Sequence, residues 1–530
     1  MARQPPWTLS LNLNLLLIIL ITVIVFHNTL YGGFLDWDDH WLIDQPTIKS
    51  PLTLRNLTDI FTFGNNPHYS PVRDLSYKLD YLLYKDNPFG FHLTNLLIYL
   101  ISVILVYKIF FLLLADLASK EAILFWTLVF TVHPIHSETV AWLAERKGLL
   151  AGLFIFSSFY YFILYINKDK RLFYLFSLLL FFLGTLSKPS VLAFPLAFFL
   201  YLLLFNKRSL SKKEVFFKTF PYLFLIIPSF FLNFFYFKDT TLRGYKGAYY
   251  YQMGQALWQY LFNFFSPVRL APIYTFKKEL IPFLISILSL FIFFVCLGFI
   301  IRQVKTEKNR KIIFLSIGWI IFSFLPTANI IPNNILCADR FFYLPSFGSI
   351  LLLGIIWEEM KKRYLVTRRY LYKIFAVVTI IILSVAAHGQ NYIWQDDFKL
   401  WTHAVKSQPK SSYSEFSLGL VQAKQGNYDD ALRHYFRAIE LDPEYARAYT
   451  TIGLTFYELK DYKRAVQFYS KALGYDPNDV EVYNGLIVAY GRQGMYAQAL
   501  DIYYKAKEKG LSSGSIEKNY WLLQKKIRGK

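Results

Sequence analysis

The 530-residue chain is short of cysteine, of acid and of charge in general. Two cysteines, Cys296 and Cys337, exclude a disulfide framework and a cysteine-based zinc site. Asp and Glu number 36 against 57 Lys and Arg, and charged residues are only 18% of the chain. So little charge on so long a chain excludes a disordered polyelectrolyte and argues against an ordinary soluble enzyme. What fills the space is apolar: hydrophobic residues are 55%, aromatics 19%, and the mean hydropathy is +0.32. That balance is the composition of a multi-span membrane protein.

A spanning helix needs about 20 mostly apolar residues. Eleven stretches qualify if short or kinked ones are allowed: about 10–30, 91–114, 122–140, 148–166, 172–187, 189–205, 219–237, 280–301, 312–328, 345–357 and 373–388. The first reads as a span and not a removed signal peptide, since no small-residue cleavage site follows it. Pro267 and Pro272 break the apolar stretch 254–275, which reads as interfacial or re-entrant. With Arg3 inside, each even-numbered connection carries Lys or Arg, from Lys120 to the cluster Lys361, Lys362, Arg363, Arg368 and Arg369. The positive-inside rule thus accounts for much of the +21 net charge, and no nucleic-acid partner is needed. The same reading puts loop 31–90 and everything after about 389 on the outer side.

The tail repeats itself. Pro409, Pro443 and Pro477 are 34 residues apart, and Gly419 with Gly453 keeps the interval. So do Ala431, Ala465 and Ala499, and Tyr435, Tyr469 and Tyr503. A 34-residue period with small residues at helix crossings is the tetratricopeptide (TPR) pattern. The expected organisation is all-α: a membrane domain over 1–390, a linker and half-repeat over 391–411, three repeats over 412–511 and a capping helix over 512–530. The repeats would offer a groove to a protein or peptide, or else pack as a cap on the membrane body.

Loop 31–90 carries amphipathic patterns suited to helices in the outer interface, such as Leu75, Leu79, Leu82 and Leu83. It also holds Asp36, Asp38 and Asp39 just beyond the first span. Crowding beside a low-dielectric boundary tends to raise a carboxyl pKa, and a carboxylate here could take a proton from a substrate hydroxyl or hold a hard divalent cation. A solvated turn is the plainer alternative.

In their order along the chain, "DWDDHWLIDQPTI", "HYSPVRDLSYKLDYLLYKDNPFGFHLTNLLIYL", "HPIHSETVAWLAERKGLLAGLF", "LSKPSVLAFP", "ADRFFYLPSFG" and "WQDDFKLWTHAV" resemble the GT-C glycosyltransferases. The closer likeness is to the transmembrane-and-TPR-containing relatives of the protein O-mannosyltransferases. The resemblance implies an inverting transfer from a polyprenyl-phosphate sugar to Ser or Thr hydroxyls of a protein acceptor on the outer side. It makes Asp38 the general base and Asp39 its catalytic neighbour. It also implies that His68, Arg73, His133, His136 and Glu138 line the site, with Asp36 beside them.

Cations at the outer face run against the positive-inside trend and want an anionic partner, which a lipid phosphate supplies. Arg146, Lys188, Arg243 and above all Arg340 are the candidates, since guanidinium forks pair with phosphate oxygens. An ion pair from Arg340 to Asp339 or to an acid of loop 1 is the alternative. His133 and His136 with Glu138 could hold a cation, or form a hydrogen-bonded kink around Pro134. Asp36 and Asp38 would be the ligands of a divalent metal if one is used; no other cofactor is implied. Two further readings stand beside this one. One is transfer to a glycolipid or polysaccharide; the other is a membrane-anchored TPR scaffold without catalysis. The Lys-, Phe-, Tyr- and Ile-rich usage suits a bacterial inner membrane with the repeats in the periplasm, with the endoplasmic reticulum as the alternative.

Overall fold

The computed structural model describes residues 6–62, 69–205, 210–238, 249–328, 335–364 and 369–529. Among them all regular structure is helical, as expected. Two compact units divide the chain at Asp396/Asp397.

Among the described residues of the first unit, eight of the eleven expected spans are helices long and apolar enough to cross a membrane: Leu13–Tyr31, Pro88–Leu114, Leu143–Lys168, Lys212–Phe231, Leu280–Arg302, Glu307–Thr327, Asp339–Lys361 and Tyr372–Ile393. Three expected spans are shorter. Lys120–Thr131 stops after 12 residues because His133-Pro134 breaks it, and Arg171–Thr185 and Phe194–Leu204 run 15 and 11 residues. At 1.5 Å per residue these reach about 17–23 Å, less than the hydrocarbon core.

The helix Pro88–Leu114 starts where the Asn87 side chain accepts the Phe89 N–H at 3.1 Å and Pro88 supplies a first turn that needs no amide. It is apolar on all sides, so it sits centrally, with Tyr99, Val103, Val106 and Phe110 fully buried. Aromatic rings fill the centre of the bundle. Trp319 stacks on Phe156 and Phe347 and donates from Nε1 to the Leu344 carbonyl at 3.0 Å, which satisfies its one polar atom.

Loop 1 folds as short helices, Asp39–Ile43, Pro46–Lys49, Leu54–Phe61 and Pro71–Tyr84. Leu52, Leu54, Phe61, Leu79 and Leu83 remain exposed on them, the apolar side expected of helices at an interface. Lys78 donates to the Thr47 carbonyl at 3.1 Å and ties the last of these helices to the earlier turns. The C-terminal end of Tyr372–Ile393 is stitched to the start of the loop. Asn391 donates to Val25 O at 3.0 Å, Asn28 to His388 O at 2.8 Å, Gln395 Nε2 to Asn28 O at 2.7 Å, and Gly33 N–H to Gln395 O at 2.9 Å.

The second unit opens with the helix Asp397–Ser407, followed by three helix pairs: Ser412–Lys424 with Tyr428–Leu441, Ala446–Glu458 with Tyr462–Tyr475, and Val480–Arg492 with Tyr496–Glu508. Gly514–Arg528 packs after them. The 34-residue period has a steric cause. A Cβ at Gly419 would come within 2.5 Å of Tyr435, and one at Gly453 within 2.7 Å of Tyr469, so in the first two pairs the glycine and the buried tyrosine are one fitted contact.

Candidate active site

Asp38 begins the short helix Asp39–Ile43. Its carboxylate is partly buried, and among the described residues it accepts no hydrogen bond. Burial lifts the Asp38 pKa above the ordinary aspartate value, while Lys147, Arg340 and Arg73 pull it back in that order and Glu145 adds to the rise.

Asp39 is different. It is fully buried, its Oδ2 accepts the Leu35 N–H at 3.0 Å and its Oδ1 the Ala144 N–H at 2.8 Å. It is a clamp that docks the Asp38 turn on the segment Trp142–Glu145. Asp36 is exposed and lies 3.8 Å from His40. Among the described residues no group of three His, Cys, Asp or Glu is placed to hold a metal, so Asp36 and Asp38 gain no third ligand.

The floor beneath Asp38 is aromatic. Trp37, Trp142 and Trp394 stack together, with ring centres 4.7, 5.7 and 6.2 Å apart. The Arg340 guanidinium lies 5.1 Å over Trp142. Arg340 does not pair with Asp339. Its backbone N–H donates to Glu138 Oε2 at 2.8 Å, its guanidinium pairs with Glu138 Oε1, and its Nε lies 3.8 Å from Glu145. Asp339 turns the other way, accepting from Tyr274 Oη and Asn263 Nδ2 at 2.9 Å each. Lys188 pairs with Glu145 across a tight turn, and Ser70 ties that turn to loop 1 by donating to Ser187 O at 2.6 Å. Lys188 and Arg340 line a small pocket together with Gly148, Ser190 and Tyr343.

Arg146 is not part of this pocket. It is fully buried, bound to Asp80 at 2.5 Å, to Asn95 Oδ1 and Phe91 O at 2.7 Å each, and stacked 4.7 Å over Tyr77. Through those bonds the guanidinium joins three helices. Arg73 is buried against Asp74 at 2.7 Å. His68 and Arg243 lie outside the described residues.

The two histidines are committed. His133 Nδ1 accepts the Ile135 N–H at 3.3 Å, and its Nε2 donates to Phe264 O at 3.0 Å. His136 lies 3.0 Å from Tyr99 Oη and 2.8 Å from Ser346 Oγ. Both rings therefore fasten the Pro134 break to neighbouring helices, as in the kink alternative. Beyond Phe342, an apolar cavity of about 460 Å³ lies among Tyr260, Phe264, Phe293, Ile320 and Phe324. Tyr260 Oη accepts the Ala338 N–H at 3.1 Å, so this cavity adjoins the segment that carries Arg340.

Residues 68–232 match the family described as dolichyl-phosphate-mannose-protein mannosyltransferase, and 416–480 and 456–510 match tetratricopeptide repeat families. The chain is 24% identical to the protein O-mannosyl-transferase F38B6.6 of Caenorhabditis elegans, over 78% of this chain and 61% of that one. It is 23% identical to the human protein O-mannosyl-transferase TMTC3, over 78% of this chain and 49% of the other. The chain thus spans about half to two-thirds of the length of these curated relatives. A crystal structure of the Archaeoglobus fulgidus oligosaccharyltransferase aligns over 80% of this chain and 58% of that one, at 13% identity and a TM-score of 0.35. The resemblance read from the motifs is borne out: a segment that matches the mannosyltransferase family is followed by TPR repeats.

Proposed function

We propose that this chain is a membrane glycosyltransferase that moves a mannosyl group from a polyprenyl-phosphate donor to Ser or Thr hydroxyls of proteins, on the outer side of the membrane. The observation that supports this reading is Asp38: a carboxylate with Lys147, Arg340 and Arg73 as cationic neighbours, in a chain whose residues 68–232 match the mannosyltransferase family. The apolar cavity beside Phe342 suits the prenyl chain, and Arg340 and Lys188 lie where its phosphate would emerge.

In the reaction, Asp38 takes the proton of the acceptor hydroxyl as its oxygen attacks the anomeric carbon from the face opposite the phosphate. The bond from that carbon to the phosphate oxygen breaks, and its electron pair leaves with the polyprenyl phosphate. The configuration inverts. Charge moves from Asp38 to the departing phosphate, and the surrounding cations offset it in a site that excludes much of the water. The TPR unit holds the acceptor protein and raises its concentration near the site. In a bacterial host this places the repeats in the periplasm, with the N-terminus in the cytoplasm.

The test is transfer of radiolabelled mannose from polyprenyl-phosphate mannose into host envelope proteins by the purified full chain. Asp38→Asn should keep the fold and cut the rate by roughly 10²- to 10⁴-fold, the usual share of a general base. Undiminished transfer by the folded variant would remove Asp38 from the mechanism. Label appearing only in lipid or glycan would redirect the acceptor.

A further inference from the structure

Among the described residues, four of the five cations at and behind the pocket are already matched. Arg73 faces Asp74, Arg146 faces Asp80, Lys188 faces Glu145, and Arg340 faces Glu138. Lys147 is the exception: among the described residues it makes neither an ion pair nor a hydrogen bond, although it is partly buried. Its place is fixed by its neighbours. Three residues before it, Ala144 is docked to the Asp38 turn by Asp39 at 2.8 Å. One residue after it, Gly148 lines the small pocket with Lys188 and Arg340. Lys147 also lies in the first turn of the 23-residue helix Arg146–Lys168, the end of a helix that favours an anion.

Resting on the reading above, we propose that Lys147 is the ammonium that takes the donor's lipid phosphate, and that in the empty site it serves as counter-charge to Asp38. An unmatched cation in a partly dry site is held at a cost that only an incoming anion repays, and the donor brings one. The exchange has a chemical use. When the phosphate engages Lys147, the Asp38 carboxylate loses the strongest of the charges that stabilise its ionised form. The remaining groups facing it are Arg340 from the turn Asp339–Phe342, Arg73 from Pro71–Tyr84, and Glu145 from the turn before the Lys147 helix. Asp38 therefore becomes a stronger base once the donor is seated and stays a weaker one while the site is empty.

The experiment measures binding by the full chain in detergent, with farnesyl phosphate, farnesol and inorganic phosphate as probes. The wild type should prefer farnesyl phosphate over farnesol by about ten- to a hundredfold, the worth of one charged contact. Lys147→Met should lose that preference, and Lys147→Arg should keep it. Neither should lower the melting temperature, because no bond in the folded chain depends on the ammonium. Equal preference in the wild type and in Lys147→Met would overturn the role of Lys147 and leave the donor reading standing. No preference in the wild type would overturn both. Inorganic phosphate binding as tightly as farnesyl phosphate would overturn the lipid source and make this a site for the free anion.

Discussion

At the scale of single residues, adjacent positions carry unlike tasks. Asp38 and Asp39 are consecutive, yet one is open and the other is locked by two backbone amides, one of them 105 positions away. Arg146 and Lys147 divide in the same way. Arg146→Met would leave Asp80 buried without its cation, and should destabilise the membrane unit by about 3–5 kcal/mol. Thermal unfolding in detergent checks this; Lys147→Met should show no comparable loss. The pH profile separates the pair further. On the proposed role the base acts ionised, so transfer should fall as pH drops through the Asp38 pKa, which burial raises from the ordinary aspartate value. Without the Lys147 charge the pKa rises further, so the acid limb of kcat/KM in Lys147→Met should lie at higher pH than in the wild type. An unmoved limb would detach Lys147 from Asp38. The acidic cluster and the outer cations were legible from residue type and position. Which member of each pair is free was not, because that depends on Ala144, Asp80 and Asn95 meeting across the fold.

At the scale of elements, hydrophobic length reads well where a helix runs unbroken and poorly where it stops short. Pro88–Leu114 is an uninterrupted apolar run, and it is a span. The stretch 122–140 is as apolar in its first half, but His133-Pro134 ends the helix and turns the chain into the site wall. The 34-residue period was legible because two of the repeats fit a glycine against a buried tyrosine at the same spacing, Gly419 with Tyr435 and Gly453 with Tyr469. The start of the helix Arg146–Lys168 obeys a similar constraint, invisible in sequence. A Cβ on Gly148 would collide with Glu145 Oε1, and that oxygen is held by Lys188. Gly148→Ala should therefore push Glu145 off Lys188 and change the pocket while the span persists. The expected outcome is a fall in transfer of about tenfold or more, as small displacements in a catalytic site produce, with helical content by circular dichroism unchanged. Full activity in Gly148→Ala would show that the pair tolerates the displacement.

At the scale of the molecule, a membrane body and a repeat unit share one chain with a boundary at Asp396/Asp397. If the repeats recruit acceptors, a chain ending at Asp396 should still modify a short peptide supplied at high concentration, and should need about 10²-fold more of a whole-protein acceptor. Steady-state KM values for the two acceptors test this; equal losses for both would assign the repeats to support of the membrane body instead. The stitches from Val25, Asn28 and Gly33 to His388, Asn391 and Gln395 all lie before that boundary. They set a rule for recombination. Repeat cassettes are portable, and a foreign one joined at residue 397 arrives on a body whose base loop is already braced. A crossover a dozen residues earlier would import the splint from another gene, and the graft would inherit a solenoid while losing the turn that aims Asp38.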